Sequence, residues 1–274
     1  MLQLTIIIDK FAFMAGLPQL PSKQDNSFTH LSHYRKIYGD KTPILMYHHI
    51  GKSPKESKFP SLWVPSLLFE RQLGEFWSLE WPAITLGEFV AASCSVCRGV
   101  ILSFDDGYQS VFTRALPLLT RFKMRAILFI VVDYIGKSNE WDRPLGEPSH
   151  KLMSKEEIRE WIASGQEIGS HSLTHPHLPR LSFREAQREI EDSKKRLEDI
   201  FSFPVRHFSY PYGEWNEQCM EIVEKAGYES ACQIAEGVNL PGENPFCLKR
   251  LTARRPKRNL KTLFHMLLPY RHTA

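Results

Sequence analysis

The chain has no long hydrophobic run. No stretch approaches the roughly 18 apolar residues of a membrane-spanning helix. Ala126 to Val132 is strand-sized, and Leu4 to Ile8 is cut short by Asp9 and Lys10. That interruption also denies the N-terminus the continuous apolar core of a secretory signal, so a cytoplasmic location is the expectation. Cysteine is scarce and odd in number: Cys94, Cys97, Cys219, Cys232 and Cys247. This suits a reducing compartment better than a disulfide framework. Cys94 and Cys97 form a Cys-x-x-Cys pair, but no second pair of zinc-finger spacing accompanies them, and they read as ordinary thiols. An excess of one charge is missing too. Lys and Arg number 35 against 31 acidic residues, a net charge of +4, too mild to indicate a nucleic-acid partner.

What is present is an average globular composition, 42% hydrophobic and 24% charged over 274 residues. That length suits one large domain, as α/β barrels commonly are. Residues 1–40 carry no clear period and include Pro18, Pro21 and Ser22, so they read as an N-terminal extension. From Pro43 strand-like and helix-like segments alternate. Pro43 to Ile50 reads as a core strand, Ser66 to Leu79 as a helix with Leu68, Phe69, Leu73, Phe76 and Trp77 on its apolar face, and Val100 to Phe104 as a buried strand. Tyr108 to Arg121 reads as a helix that Pro117 kinks or shortens. Ala126 to Val132 is apolar without alternation, as expected of a strand covered on both faces. Capping boxes at Ser154–Glu157 and Ser182–Glu185 open two further helices, and the charge run Glu185 to Glu198 reads as the solvated face of the second. Strands at Glu167–Ser170, Arg206–Tyr210 and Tyr228–Ile234 and a helix at Glu214–Lys225 complete an alternation that points to parallel α/β architecture.

Two places concentrate chemistry. Asp105, Asp106 and Gly107 follow a buried strand. Adjacent residues on an extended chain point to opposite faces, so one carboxylate can bind a metal while the other stays free as a base. A divalent ion also lets both remain ionised. The same tripeptide suits a helix N-cap. His171 and His175 follow another strand, four residues apart, in a helical or tight-turn spacing that can close on one ion. The C-terminal ends of parallel strands share one face, so Asp106, His171 and His175 can converge there. Two imidazoles and a carboxylate make zinc the first expectation for the ion.

Ser103-Phe104-Asp105-Asp106-Gly107, His171-Ser172-Leu173-Thr174-His175 and Tyr210-Pro211-Tyr212-Gly213, in that order, resemble the first three motifs of the polysaccharide deacetylase family, carbohydrate esterase family 4. The resemblance spans roughly Pro43 to Ile234. It implies a distorted (β/α) barrel and metal-dependent removal of N-acetyl groups from amino sugars. By position it implies Asp105 as general base, Asp106, His171 and His175 as metal ligands, and the backbone amide of Tyr212 as an oxyanion donor. The chain departs from the family pattern in three places. Ser209 stands where the base-orienting arginine is usual, with Arg206 nearby but displaced. The Asp-rich fourth motif is not recognisable, and Leu248 to Thr252 lacks the histidine that supplies the acid. His48, in a Tyr47-His48 pair that resembles a divergent branch of the family, is the first candidate for the substitute acid, ahead of His177 and His265, and reads equally as a histidine that only hydrogen-bonds near the metal site.

The catalytic domain is expected over residues 41–255. Residues 256–274 interleave Lys257, Arg258, Lys261 and Arg271 with Leu260, Leu263, Phe264 and Leu267. This basic amphipathic segment reads either as a terminal helix packed on the barrel or as a peripheral contact with the inner face of a membrane. The expected partner is an amino-sugar or oligosaccharide substrate. Two other readings stand beside the deacetylase: a different metal-dependent amide hydrolase, of deformylase or cyclic-amide type, and a non-catalytic carbohydrate-binding homologue.

Overall fold

Runs of β-branched and large apolar residues form the wall of a closed barrel in the computed structural model, which describes residues 30–39, 41–91, 98–240 and 242–253. Its seven strands are β1 (Ile44–Tyr47), β4 (Ile101–Phe104), β5 (Ile127–Ile130), β6 (Glu167–Ser170), β7 (His207–Ser209), β8 (Ser230–Glu236) and β9 (Leu248–Thr252). They pair in parallel in that order, and β9 returns to β1 through Leu45 opposite Leu251, which closes the ring. Two short strands lie outside it, β2 (His49–Ile50) and β3 (Trp63–Val64). The single strand expected over 43–50 is therefore broken at His48.

Alternation along the strands divides the core in two. Leu45, Leu102, Phe104, Leu128, Ile130, Ile168 and Phe208 pack outward against the helices. Ile44, Ile101, Ile127, Phe129, Cys232 and Leu248 form a separate cluster that fills the barrel axis, floored by Leu86. Gly169 on β6 makes room for this filling: a Cβ there would stand 2.5 Å from the Phe129 ring and 2.9 Å from the carbonyl of His207.

The helices are α1 (Leu31–Tyr38), α2 (Ser66–Ser78), α3 (Leu86–Ala91), α4 (Leu116–Phe122), α5 (Lys155–Ala163), α6 (Phe183–Phe201) and α7 (Glu217–Lys225). Helix α1 lies within the span read as an extension, and it buries Leu31 and Tyr34 against the core. On α2, Phe69, Leu73 and Phe76 are buried as expected, whereas Trp77 is 56% exposed. The expected helix after Asp106 opens at Gln109 and Ser110, widens into a π-helical turn over Val111–Ala115 and continues as α4. Pro117 explains the break, because it has no N–H to donate and its ring clashes with the carbonyl four residues back. The Ser154–Glu157 box caps α5 in both directions, and Glu185 accepts from the Ser182 backbone N–H to open α6. Among the described residues no helix is long and apolar enough to cross a membrane. Residues 1–29, the Cys94/Cys97 pair, His265 and the segment 256–274 lie outside the described residues.

Candidate metal and catalytic centre

Each strand that carries chemistry releases it at its C-terminal end. Asp105 and Asp106 follow β4, His171 follows β6, Tyr212 lies in the turn after β7, and half-buried His48 follows β1. The turns that aim these side chains are bent by force. Asp106, Ser172, His175 and Tyr212 all hold positive φ angles, at 72°, 66°, 63° and 57°. Such conformations cost non-glycine residues about 1–3 kcal/mol each and persist only where the surroundings impose them.

The candidate ligand atoms of Asp106, His171 and His175 lie within 4.8 Å of one another, all buried. The Nε2 atoms of the two histidines stand 3.3 and 3.4 Å from Asp106 Oδ1. That oxygen is buried without a hydrogen-bond partner. Two ligands bound tetrahedrally at about 2.0–2.1 Å from one ion would be separated by about 3.3 Å. An orphaned carboxylate oxygen facing two imidazole nitrogens at that separation fits a divalent cation. His171 Nδ1 lies 2.7 Å from the Ser209 carbonyl. Donating there fixes the tautomer and turns the Nε2 lone pair toward Asp106. Burial pushes the Asp106 carboxyl up, but the adjacent imidazoles outweigh it and hold the group well below the usual range. The His175 ring stacks on Trp141, with centroids 4.8 Å apart, and meets the Tyr212 ring edge-on at 4.5 Å.

Asp105 lies beside this group and is tied elsewhere. Arg250 donates to Asp105 Oδ1 at 2.8 Å and to Oδ2 at 2.7 Å. The guanidinium also donates to Ser103 Oγ at 3.3 Å, Ser209 Oγ at 3.0 Å and the Gln233 carbonyl at 2.9 Å. All five of its N–H groups are thereby matched. Burial raises the Asp105 carboxyl, and the Arg250 charge and hydrogen bonds together with the nearby His171 and His48 outweigh it, so the group is held below its ordinary value and stays ionised. His48 is within electrostatic reach of both aspartates and lowers both carboxyls.

Arg250 is the residue that the sequence did not disclose. The third-motif position holds Ser209, and Arg206 belongs to the other end of the barrel, where it pairs with Glu229 at 3.6 Å. The signal available in the sequence was an arginine between Leu248 and Leu251 in a strand, spaced by two from Leu248 and so directed to the barrel axis. His177, the second acid candidate, has its Nδ1 2.8 Å from Glu214 and its ring flat on Tyr212 at 4.0 Å. Asp142 is a further buried acid near the centre; burial pushes it up to about 6, and Asn139 donates to it at 3.1 Å.

Residues 93–231, about half of the chain, match the family model described as polysaccharide deacetylase. The polysaccharide deacetylase-family protein YxkH of Bacillus subtilis is 30% identical over 218 residues, which cover 77% of this chain and 71% of that protein. A poly-beta-1,6-N-acetyl-D-glucosamine N-deacetylase of Staphylococcus aureus is 26% identical over 165 residues, 56% of this chain and 54% of the relative. The chain thus spans about half the length of that curated relative. Among solved structures, the Streptococcus pyogenes deacetylase PplD in complex with acetate superposes with a TM-score of 0.69 at 23% identity, over 84% of this chain and 99% of that one. IcaB from Ammonifex degensii gives 0.67 at 23% identity, over 78% and 92%. These two likenesses concern the fold, and the barrel agrees with them. On its matched residues and its YxkH likeness, the chain belongs to the polysaccharide deacetylase family.

Proposed function

We propose that the chain hydrolyses the acetamide of an amino sugar in a glycan or glycan precursor, with zinc as its ion. The observation that carries this reading is a buried, ionised carboxylate, Asp105, placed directly beside a three-ligand group and held there by a bidentate arginine. An ion held by Asp106, His171 and His175 would supply Lewis-acid polarisation of the carbonyl and a lowered pKa for water.

The rest is the work of side chains and one amide. Asp105 accepts the proton of the attacking water, and the Arg250 fork keeps it anionic and aimed until then. The Tyr212 N–H, in a backbone held at φ 57°, is the fixed donor for the developing oxyanion. His48 gives the departing nitrogen its proton. Trp141 and the Tyr212–His177 stack flank His175 and offer flat apolar faces for a sugar ring. The Staphylococcus relative is named for poly-beta-1,6-N-acetyl-D-glucosamine, which makes oligomers of N-acetylglucosamine the first substrates to try. A binding-only role draws its support from the arginine missing in the third motif and the histidine missing in the last strand; Arg250 on Asp105 weighs against the first of these, since binding has little use for an oriented base.

The test pairs elemental analysis with acetate release. Wild type should carry about one divalent ion per chain and release acetate from N-acetylglucosamine oligomers. His175→Ala should lose the ion. Asp105→Asn should keep the ion and lose activity about 10²–10⁴-fold, the usual contribution of a general base. An Asp105→Asn enzyme of normal turnover would remove Asp105 from that role.

A further inference from the structure

Helix α6 carries the charge run, with Glu185, Arg188, Lys195 and Arg196 exposed. Glu189 departs from that pattern. One of its oxygens, Oε2, accepts the backbone N–H groups of Leu173 and Thr174, both at 2.9 Å. The other, Oε1, accepts the Thr174 hydroxyl at 2.7 Å. Both residues lie inside the turn that separates His171 from His175.

That turn needs holding. Ser172 and His175 sit in the left-handed region, and the Ser172 hydroxyl accepts the His175 N–H at 3.0 Å. The segment after β5 holds its carbonyls, with the Val132 and Asp133 N–H groups donating to Ser172 and Leu173 at 3.2 and 3.0 Å; the N–H groups of Leu173 and Thr174 need a partner of their own, and without one the turn would relax toward cheaper backbone angles and carry the His175 ring away. Four residues beyond Glu189, on the same side of α6, Ser193 accepts from Ser170 at 2.7 Å, at the end of β6. The helix thus grips the strand end with Ser193 and the turn with Glu189.

We propose that Glu189 is a positioning residue that locks the His171–His175 turn in its ion-binding conformation. The inference rests on the reading of Asp106, His171 and His175 as an ion site. Glu189 has no contact with the ligand nitrogens; it acts through the backbone between them. Outer partners of this kind are worth about 10–100-fold in metal affinity.

The experiment measures Zn²⁺ affinity of the full chain by competition with a chromophoric chelator, independently of activity. Glu189→Ala should bind Zn²⁺ about 10–100-fold more weakly, while its metal-free form still melts cooperatively. Glu189→Gln keeps a carbonyl for the two N–H groups and an amide that the threonine hydroxyl can accept from, so it should stay within about threefold of wild type. Thr174→Val tests the same contact from the other side and should weaken binding about threefold to tenfold. Equal affinity in wild type and Glu189→Ala would overturn the inference and leave the ion site standing. Should Glu189→Ala not fold, an unaltered Zn²⁺ affinity in Thr174→Val would overturn it equally. A wild type that takes up no Zn²⁺ would overturn the ion-site reading itself, and the inference with it.

Discussion

Arg250 and Asp105 meet across 145 positions of sequence and share an interior that neither could occupy alone. Without its guanidinium the buried carboxyl would have its pKa raised, and a larger share of it would be protonated, and so unable to accept a proton, at the pH where the enzyme works. Removing one member of a buried ion pair costs about 3–5 kcal/mol because the other is stranded. Arg250→Met is therefore expected to lose about that much stability in urea denaturation, and the acid limb of its activity profile should move to higher pH. Arg250→Lys supplies charge without the fork that holds both oxygens and the two serines. It should retain stability better than Arg250→Met while turnover falls at least about tenfold. An Arg250→Met protein with wild-type stability and an unmoved acid limb would show the pair to be idle.

At the level of elements, the site depends on how β5 and β6 fit. Phe129 stands opposite Gly169 in register, and the Arg250 guanidinium carbon lies 5.8 Å from the Phe129 ring centre. A methyl group at residue 169 has no space, since backbone as well as ring blocks it. Overpacking of this kind costs about 1–3 kcal/mol. Gly169→Ala should lower the urea midpoint by a corresponding amount and reduce turnover as well, through displacement of Phe129 toward Arg250; a neutral substitution would mean that the barrel interior yields more easily than its packing indicates. Much of this was legible beforehand. The strand runs, the capping boxes and the Asp-Asp and His-x-x-x-His motifs are local patterns, and local patterns survive without a fold. Arg250 and Glu189 were not legible because their roles are set by register and by helix rotation, which bring β9 to β4 and α6 to the turn after β6. Trp77 fits the 3–4 spacing of α2, yet spacing alone cannot fix where an apolar stripe ends.

For the molecule as a whole, the barrel is polarised along its axis. One mouth gathers the aspartates, the histidines and the strained turns. The other opens on a cavity of about 470 Å³ lined by Glu167, Arg206, His207 and Glu229 among others. His207 is buried there, with its Nδ1 3.0 Å from Ser230 Oγ. Burial, reinforced by the charges of Arg206 and Lys194, pushes its imidazole down from 6.5 to about 4. The folded chain therefore keeps this group neutral while the unfolded chain protonates it. Stability from this source is fully present above pH 6.5, the ordinary value. It is lost as pH falls toward about 4, because the unfolded state then binds the extra proton. Between pH 7 and pH 5 the loss amounts to about 2 kcal/mol at most. His207→Gln removes the titration while retaining a hydrogen-bonding side chain. Urea unfolding at the two pH values should then show a smaller acid loss in the variant than in wild type, by about 1–2 kcal/mol. Equal losses would mean that His207 titrates alike in the folded and unfolded chains, and that its burial contributes nothing to the acid sensitivity of the fold.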